Sequence, residues 1–218
     1  MAARPEISSL AEAIAGSMAG LSVEEQRLAV ALYRRLARGE PVPAGSLAAE
    51  LGADEDEIEG TLNGWPAVYR ADDGAIVAFG GLAIPEMPHR FRVDGRLLHT
   101  WCAWDALFIP ELIGRSAEVE SQSPVSGDLV RLTVAPEAIV AAEPHDAVVS
   151  MLSPTERFDD DVVASFCHFV HFFTSASDAQ PWLGQHRVTF LLSLDEAFEL
   201  GRMTNRLCYG EALRDAGS

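Results

Sequence analysis

The chain has 218 residues, of which 48% are hydrophobic and 22% charged, and its formal net charge is −17. This composition excludes a disordered chain, and the acidic charge disfavours nucleic acid or an anionic membrane as a partner. All 16 basic residues are arginine, which excludes Schiff-base chemistry and the lysine of a Walker loop. No apolar run is long enough to span a membrane and no secretory signal begins the chain, so we expect a soluble cytoplasmic protein.

Residues 1–85 are predicted to form an N-terminal domain that resembles a winged helix. Ser22 and Glu25 have the spacing of a capping box, and Gly80-Gly81 indicates a turn or a bulge. The predicted elements are, in chain order, helices over residues 6–20, 22–36, 44–51 and 54–62 and a strand pair over residues 67–84. Helices followed by a hairpin are the order of a winged helix.

The helix in the recognition position of this domain is strongly acidic. DNA-reading helices present arginine and polar side chains to the duplex, and carboxylates would be repelled by phosphate. We therefore expect a structural or interaction role for the domain, without DNA binding. The carboxylates are Asp54, Glu55, Asp56, Glu57 and Glu59.

Residues 86–218 are predicted to form a mixed α/β domain with antiparallel strands. The predicted strands cover residues 89–93, 96–100, 117–121, 129–134, 147–152 and 188–192. The predicted helices cover residues 101–114, a segment from Asp159-Asp160-Asp161 onward, a short stretch around Trp182, and residues 193–213. Strands and helices do not alternate regularly, so the fold class is α+β.

The motif Trp101-Cys102-Ala103-Trp104-Asp105 is the first candidate for chemistry. On a helix this spacing would put Cys102 and Asp105 on one face, near the helix N-terminus, where the dipole favours a thiolate. Burial against the tryptophans would raise the pKa of Asp105 and make it a better acid. The alternative is that Cys102 is a core residue and that Asp105 caps the helix or pairs with an arginine.

A second thiol, Cys167, lies in a Phe- and Val-rich segment with His168 and His171. Cys167 and His171 would share a helix face, so a zinc site is an alternative interpretation, although only three soft donors cluster there. We expect the two histidines to be hydrogen-bonded structural residues. Cys208 is expected to be structural, and nothing ties His89 or His99 to a site.

Two motifs together resemble the alkylmercury lyase family, also called the organomercurial lyase or MerB family. The first is Trp101-Cys102-Ala103-x-Asp105 followed by Phe108-Ile109-Pro110-x-Leu112-Ile113-Gly114-Arg115. The second is Phe166-Cys167-x-x-Val170-His171-Phe172-Phe173. They stand in the order and with the gap of the family, and weaker similarity extends from about residue 28 to residue 206.

The resemblance implies protonolysis of the carbon–mercury bond of alkyl- and arylmercury compounds, giving a hydrocarbon and Hg(II). It implies that Cys102 and Cys167 bind the mercury, and that Asp105 carries a proton to the carbon and helps to hold Hg(II). No cofactor is implied, but thiols would be needed for turnover. The Hg(II) acceptor would be mercuric reductase or a small thiol. The expected apolar walls are Trp104, Phe108, Phe166 and Phe169.

The chain departs from the family pattern at two cysteines, which are replaced by Ser123 in a loop and by His168 after Cys167. The first change is expected to alter stability at most. The second is expected to affect the release of Hg(II) or the binding of another metal. Two alternatives remain open: a Cys/His metal or mercurial sensor with a winged-helix module, and a relative that has kept the fold and lost the activity.

Overall fold

The structure, a computed structural model, describes residues 4–18, 20–154 and 161–215. Within these ranges the helices are α1 (Ile7–Ser17), α2 (Val23–Leu36), α3 (Ala44–Leu51), α4 (Glu55–Gly64), α5 (Asp105–Ile113), α6 (Val162–Ser165), α7 (Gln180–Gln185) and α8 (Leu194–Asp215). The strands are β1 (Val68–Arg70), β2 (Ile76–Phe79), β3 (Leu82–Ala83), β4 (His89–Val93), β5 (Arg96–Thr100), β6 (Ala117–Gln122), β7 (Leu129–Val134), β8 (Ile139–Glu143), β9 (Val148–Met151), β10 (Phe172–Phe173) and β11 (Phe190–Ser193). A 3₁₀ turn, Cys167–Phe169, follows α6.

Two antiparallel sheets form the β part of the fold. The larger has eight strands in the order β1-β2-β3-β5-β4-β6-β7-β8, and the smaller has the order β10-β9-β11. With helices packed around these sheets, the predicted mixed α/β architecture with antiparallel strands is confirmed. β3 pairs with β5, with Leu82 opposite Thr100, so the larger sheet continues across residue 85. The division into domains at that residue stays a prediction.

Helix α8 packs against the helices on both sides of the predicted boundary, α1, α2 and α5. Two buried hydrogen bonds fix α5 to it. The Trp104 indole N–H donates to the Ala197 carbonyl (3.0 Å), and the Asn205 amide donates to the Phe108 carbonyl (3.0 Å). α5 is therefore held at its start and along its length by one long helix.

Local signals predicted several elements correctly. The capping box at the start of α2 is present, since the Glu25 N–H donates to Ser22 Oγ (3.2 Å) and the Ser22 N–H donates to Glu25 Oε2 (2.8 Å). The β4–β5 hairpin has the predicted bounds and turns at Asp94-Gly95, where both residues have positive φ.

Other elements were not predicted. β3 has only two residues, too few for a periodic pattern, and β8 is largely exposed although most of its residues are apolar. Of the carboxylates proposed to begin a helix, Asp159 and Asp160 lie outside the described residues, and α6 begins after Asp161. No helix in the described ranges is both long enough and apolar enough to cross a membrane.

Gly201 marks the closest approach of α8 to α5. A Cβ at this position would lie 2.7 Å from Phe108 Cβ, whereas one at Gly210 on the same helix would meet only the Arg214 guanidinium, at 4.0 Å. We expect Gly201→Ala to lower the free energy of unfolding by about 1–3 kcal/mol through overpacking. Gly210→Ala is the matched control, and its better helix propensity should make it neutral or stabilising by up to about 1 kcal/mol. Urea unfolding of the two variants measures the difference, and equal effects would contradict this packing.

Candidate active site

The turn that connects β5 to α5 forms the Cys102–Asp105 pair. Cys102 precedes α5, which begins at Asp105, so the predicted shared helix face is wrong. The side chain of Asp105 instead reaches back across the turn, where Oδ2 accepts the Cys102 backbone N–H (2.8 Å). The Thr100 hydroxyl donates to the Cys102 carbonyl (3.0 Å). These bonds satisfy the buried polar groups of the turn and fix the carboxyl beside Cys102.

Cys167 reaches this turn from the second half of the chain. It begins the 3₁₀ turn Cys167–Phe169, whose last carbonyl accepts the Ser150 hydroxyl of β9 (2.7 Å). The Ala103 N–H donates to the Val170 carbonyl (3.1 Å), which joins the two segments directly. The residues that follow Cys102 and Cys167 thus bind each other, and this contact brings the two cysteines together.

The three side chains form one compact, buried group. The Cys102 and Cys167 sulfurs and an Asp105 carboxylate oxygen all lie within 4.8 Å of one another. The three residues are only 0%, 5% and 6% exposed, respectively. Among the residues described, this is the group of three donors that could hold a metal ion. Two sulfurs and one oxygen suit a soft, thiophilic ion of low coordination number.

Burial raises the pKa of Asp105 from its ordinary value of 3.8 to about 7. Hydrogen bonds from Cys102 and from the Trp101 backbone oppose this shift without cancelling it. The predicted rise is therefore confirmed. A carboxyl with a pKa near neutrality can both accept and donate a proton under ordinary conditions.

Burial raises the pKa values of both thiols and so favours their protonated forms, contrary to the expectation of a thiolate at Cys102. Burial, the hydrogen bond with Cys167 and the charge of Asp105 raise the pKa of Cys102 well above its ordinary value. The hydrogen bond from Cys102 lowers the pKa of Cys167, but burial and Asp105 leave it raised overall. The expectation failed because desolvation of the fully buried sulfur outweighs the dipole of a short helix. Binding of a metal must therefore displace thiol protons.

An apolar pocket of about 120 Å³ opens onto the site. Asp105 and Cys167 line it, whereas Cys102, which is fully buried, does not. The lining from the predicted catalytic part includes Trp104, Phe108 and Phe166, as expected. Phe169, expected at the same wall, instead contacts the rings of His168 and His186.

The opposite wall comes from the first 85 residues, which sequence reasoning did not connect to the site. Its residues are Met18, Leu21, Tyr33, Trp65, Pro66, Ala67, Phe79, Gly80 and Gly81. The stacked rings of Trp65 and Phe79, with centroids 5.5 Å apart, form part of this wall. No local pattern indicates these contacts, because they exist only after the helices pack on the sheet.

The histidines that suggested zinc do not join the site. Cys167 and His171 do not share a helix face, because the 3₁₀ turn ends before His171, which precedes β10. The His171 ring donates from Nε2 to the His168 carbonyl (2.8 Å), and His168 itself is exposed. The expected hydrogen-bonded role is therefore confirmed for His171, and the zinc interpretation has no support in the described residues.

The remaining candidates lie apart from the three-residue group. The Cys208 thiol is half-buried and donates to Met18 Sδ (3.6 Å). His89 Nδ1 contacts the Ser121 hydroxyl (2.7 Å), and burial together with His171 lowers the pKa of His89 to about 3. His99 is buried in β5.

The raised pKa of Asp105 predicts a pH dependence of stability. Because the folded protein keeps this proton up to about pH 7 and the unfolded chain loses it near 3.8, stability should fall as pH rises between these values. Asp105→Asn removes the titration, so its stability relative to wild type should rise by on the order of 4 kcal/mol between pH 4 and pH 8. Urea unfolding of both proteins across this range measures the difference, and a constant difference would contradict the raised pKa.

The chain was compared with known protein families and structures. A sequence model of the family described as MerB, alkylmercury lyase, matches residues 82–205. An alkylmercury lyase of Staphylococcus epidermidis is 43% identical over 183 residues, which cover 84% of this chain and 83% of the relative. An alkylmercury lyase of Pseudomonas putida is 40% identical over 176 residues, covering 81% of this chain and 82% of that protein.

A similarity in three dimensions supports the fold. A crystal structure of the mercury-bound form of MerB2 matches with a TM-score of 0.71 at 20% sequence identity, and the match covers 94% of this chain and all of that one. At this identity the match concerns the fold alone. The family model matches residues 82–205, and the alignments with the two relatives cover most of this chain and most of each relative. This chain therefore belongs to the alkylmercury lyase family.

Proposed function

We propose that this carbon–mercury lyase uses Cys102 and Cys167 as the ligands of mercury and Asp105 as the proton carrier. The observation that carries the proposal is the convergence of two sulfurs and one carboxylate oxygen within 4.8 Å. Cys102 comes from the turn before α5, Asp105 from the first residue of α5, and Cys167 from a 3₁₀ turn far away in sequence. Their burial in apolar surroundings is a costly arrangement that packing alone does not require.

Two thiols and one carboxyl are sufficient to supply the mercury ligands and the proton that cleavage of the carbon–mercury bond requires. One thiol displaces a weak ligand of R–Hg⁺, such as water, and forms a sulfur–mercury bond, and the displaced ligand and the thiol proton leave to solvent. The second thiol then binds mercury, and its proton passes through the Asp105 carboxylate to the carbon as the carbon–mercury bond breaks. The products are R–H and a bis-thiolate Hg(II), and Asp105 returns to its carboxylate form. No step requires an oxidant or a reductant.

The raised pKa of Asp105, about 7, supports this role. A carboxyl of ordinary acidity would hold a proton too rarely at neutral pH to carry it between sulfur and carbon. The thiol pKa values, raised by burial, mean that the proton needed at carbon is already present in the site.

The apolar pocket supports alkyl and aryl groups as the organic part of the substrate. Its volume of about 120 Å³ is comparable to that of apolar cavities that bind benzene. Asp105 and Cys167 line the pocket, so a phenyl group seated there would hold its mercury against both. Cys102 does not line the pocket, but its sulfur lies within 4.8 Å of the other two donor atoms and would complete the ligation of the metal.

The reaction leaves Hg(II) bound to the protein, so turnover needs an acceptor. Mercuric reductase or a small thiol would take the ion by exchange of thiolate ligands. We infer that no organic cofactor takes part, since the proton transfer is assigned entirely to the three side chains. The cytoplasmic location stays a prediction from the sequence.

We infer that residues 1–85 form a winged-helix-like domain that contributes one part of the wall of the substrate pocket. Helices α2, α3 and α4 followed by the β1–β2 hairpin support this interpretation. α4 begins with Glu55, Asp56 and Glu57 and is capped by Asp54, which would repel phosphate. We therefore assign the domain no nucleic-acid partner and the catalytic chemistry to residues 86–218.

The sensor alternative is not favoured. A sensor needs to bind a mercurial without breaking it, and a carboxyl with a pKa near 7 beside two protonated thiols favours protonolysis. The relatives covering most of the chain are alkylmercury lyases.

Replacement of either proposed mercury ligand should abolish cleavage. Purified protein with excess thiol should release benzene from phenylmercury, whereas Cys102→Ser and Cys167→Ser should each lower the rate by at least about 1000-fold, because a hydroxyl is a poor ligand for a soft metal. Cys208→Ser is the matched control, since it removes the remaining thiol, and it should keep close to the wild-type rate. Benzene in the headspace is measured by gas chromatography.

Two outcomes would contradict the proposal. Stoichiometric binding of phenylmercury to the wild type without release of benzene would support the sensor. Release that survives both Cys102→Ser and Cys167→Ser but is lost in Cys208→Ser would move the chemistry to another site.

A further inference from the structure

The turn between β2 and β3 lies directly against the Asp105 carboxyl. It consists of Gly80 and Gly81, with φ values of +50° and +100°, and it connects paired strands in which Phe79 stands opposite Leu82. Two-residue hairpin turns with positive φ at both positions favour glycine. The sequence signal thus accounts for the turn, but not for its place beside the site.

We propose that Gly81 is a positioning residue for Asp105, which rests on the proton-carrier role proposed above. A Cβ at Gly81 would lie 2.5 Å from Asp105 Cγ and 2.6 Å from Oδ1. Real side chains do not approach so closely, so any residue other than glycine must displace the carboxyl or the turn. The backbone of Gly81 therefore forms one wall of the space that the Asp105 carboxyl occupies.

The turn is also bonded to the segment that carries the carboxyl. The Trp101 N–H donates to the Gly81 carbonyl (3.0 Å), and the Cys102 N–H donates to Asp105 Oδ2 (2.8 Å). The carboxyl is thus held by a hydrogen bond from Cys102 and by contact with Gly81. A proton carrier must be placed to within about 0.5 Å of its productive position relative to the donor and the acceptor. A contact that fixes the carboxyl should therefore affect the rate of proton transfer more than the affinity for mercury.

The outer side of the turn is held by the N-terminal helices. The Tyr33 hydroxyl of α2 donates to the Gly80 carbonyl (2.7 Å), and a Cβ at Gly80 would overlap that hydroxyl. Tyr33 is 1% exposed, so its hydroxyl has little freedom to move away. The turn is therefore clamped between Tyr33 and Asp105, and residues 1–85 take part in positioning the proton carrier.

Gly81→Ala tests the proposal, and Gly74→Ala is its matched control. Gly74 lies in the β1–β2 turn of the same sheet with φ +86°, and a Cβ there would meet nothing within 4 Å. Both variants strain the backbone, but only Gly81→Ala contacts Asp105. Single-turnover and steady-state cleavage of phenylmercury should show kcat lowered about 10- to 100-fold in Gly81→Ala, with KM and stoichiometric phenylmercury binding nearly unchanged. Gly74→Ala should keep kcat within about twofold of wild type.

A double-mutant cycle separates positioning from a general loss of structure. If Gly81 acts through Asp105, Gly81→Ala should lower the single-turnover rate in the wild-type background and have little further effect in Asp105→Asn. Additive losses, or an equal loss of kcat in Gly74→Ala, would overturn the proposal. If Asp105→Asn itself keeps the wild-type rate, the proton-carrier role fails, which is a separate result.

Tyr33→Phe provides a second test should Gly81→Ala fail to fold. It removes the hydroxyl that donates to the Gly80 carbonyl and that also interacts with Tyr209, and it adds no atom. We expect kcat to fall about 3- to 10-fold with little change in KM, since the turn loses its outer anchor. An unchanged kcat, or a change confined to KM, would contradict the proposal that Tyr33 and the Gly80-Gly81 turn position Asp105.

Discussion

The desolvation of one carboxyl beside two thiols is the constraint on which this site depends. Asp105 is buried against Gly81 at the edge of a pocket lined by aromatic rings, and this burial raises its pKa to about 7. The same burial keeps the protons on Cys102 and Cys167. A more open site would lower the pKa of Asp105, so the carboxyl would hold the proton too rarely to carry it from sulfur to carbon. The apolar surroundings are thus part of the chemistry and not only a binding surface.

The fold supplies this environment by joining distant segments with a few buried hydrogen bonds. The bond from Ala103 to the Val170 carbonyl connects the two cysteine segments, and the bond from the Trp104 indole to Ala197 fixes the start of α5 to α8. The larger sheet carries the β2–β3 turn to the same place. Because α8 also packs on α1 and α2, the N-terminal helices close the pocket on the side opposite the thiols.

Much of the architecture could be predicted from local signals. The capping box at Ser22 and the hairpin turn at Asp94-Gly95 are determined within a few residues, and the structure has both. The clustering of Cys102, Asp105 and Cys167 followed from two motifs considered together. The thiolate expected at Cys102 was wrong because local sequence indicates a helix dipole but not the extent of burial. The pocket wall formed by Trp65 and Phe79, and the contact of Gly81 with Asp105, depend on tertiary packing that no local pattern encodes.

The central claim is that both thiols hold the metal once the carbon–mercury bond has been broken. X-ray absorption at the mercury edge, on protein that has completed one turnover with phenylmercury in the absence of added thiol, tests this directly. We expect mercury bound to two sulfurs and to no carbon in the wild type. Cys167→Ser incubated with phenylmercury in the same way should keep mercury bound to the phenyl carbon and to no more than one sulfur. Mercury with one sulfur and one carbon in the wild type, or with two sulfurs in Cys167→Ser, would contradict it.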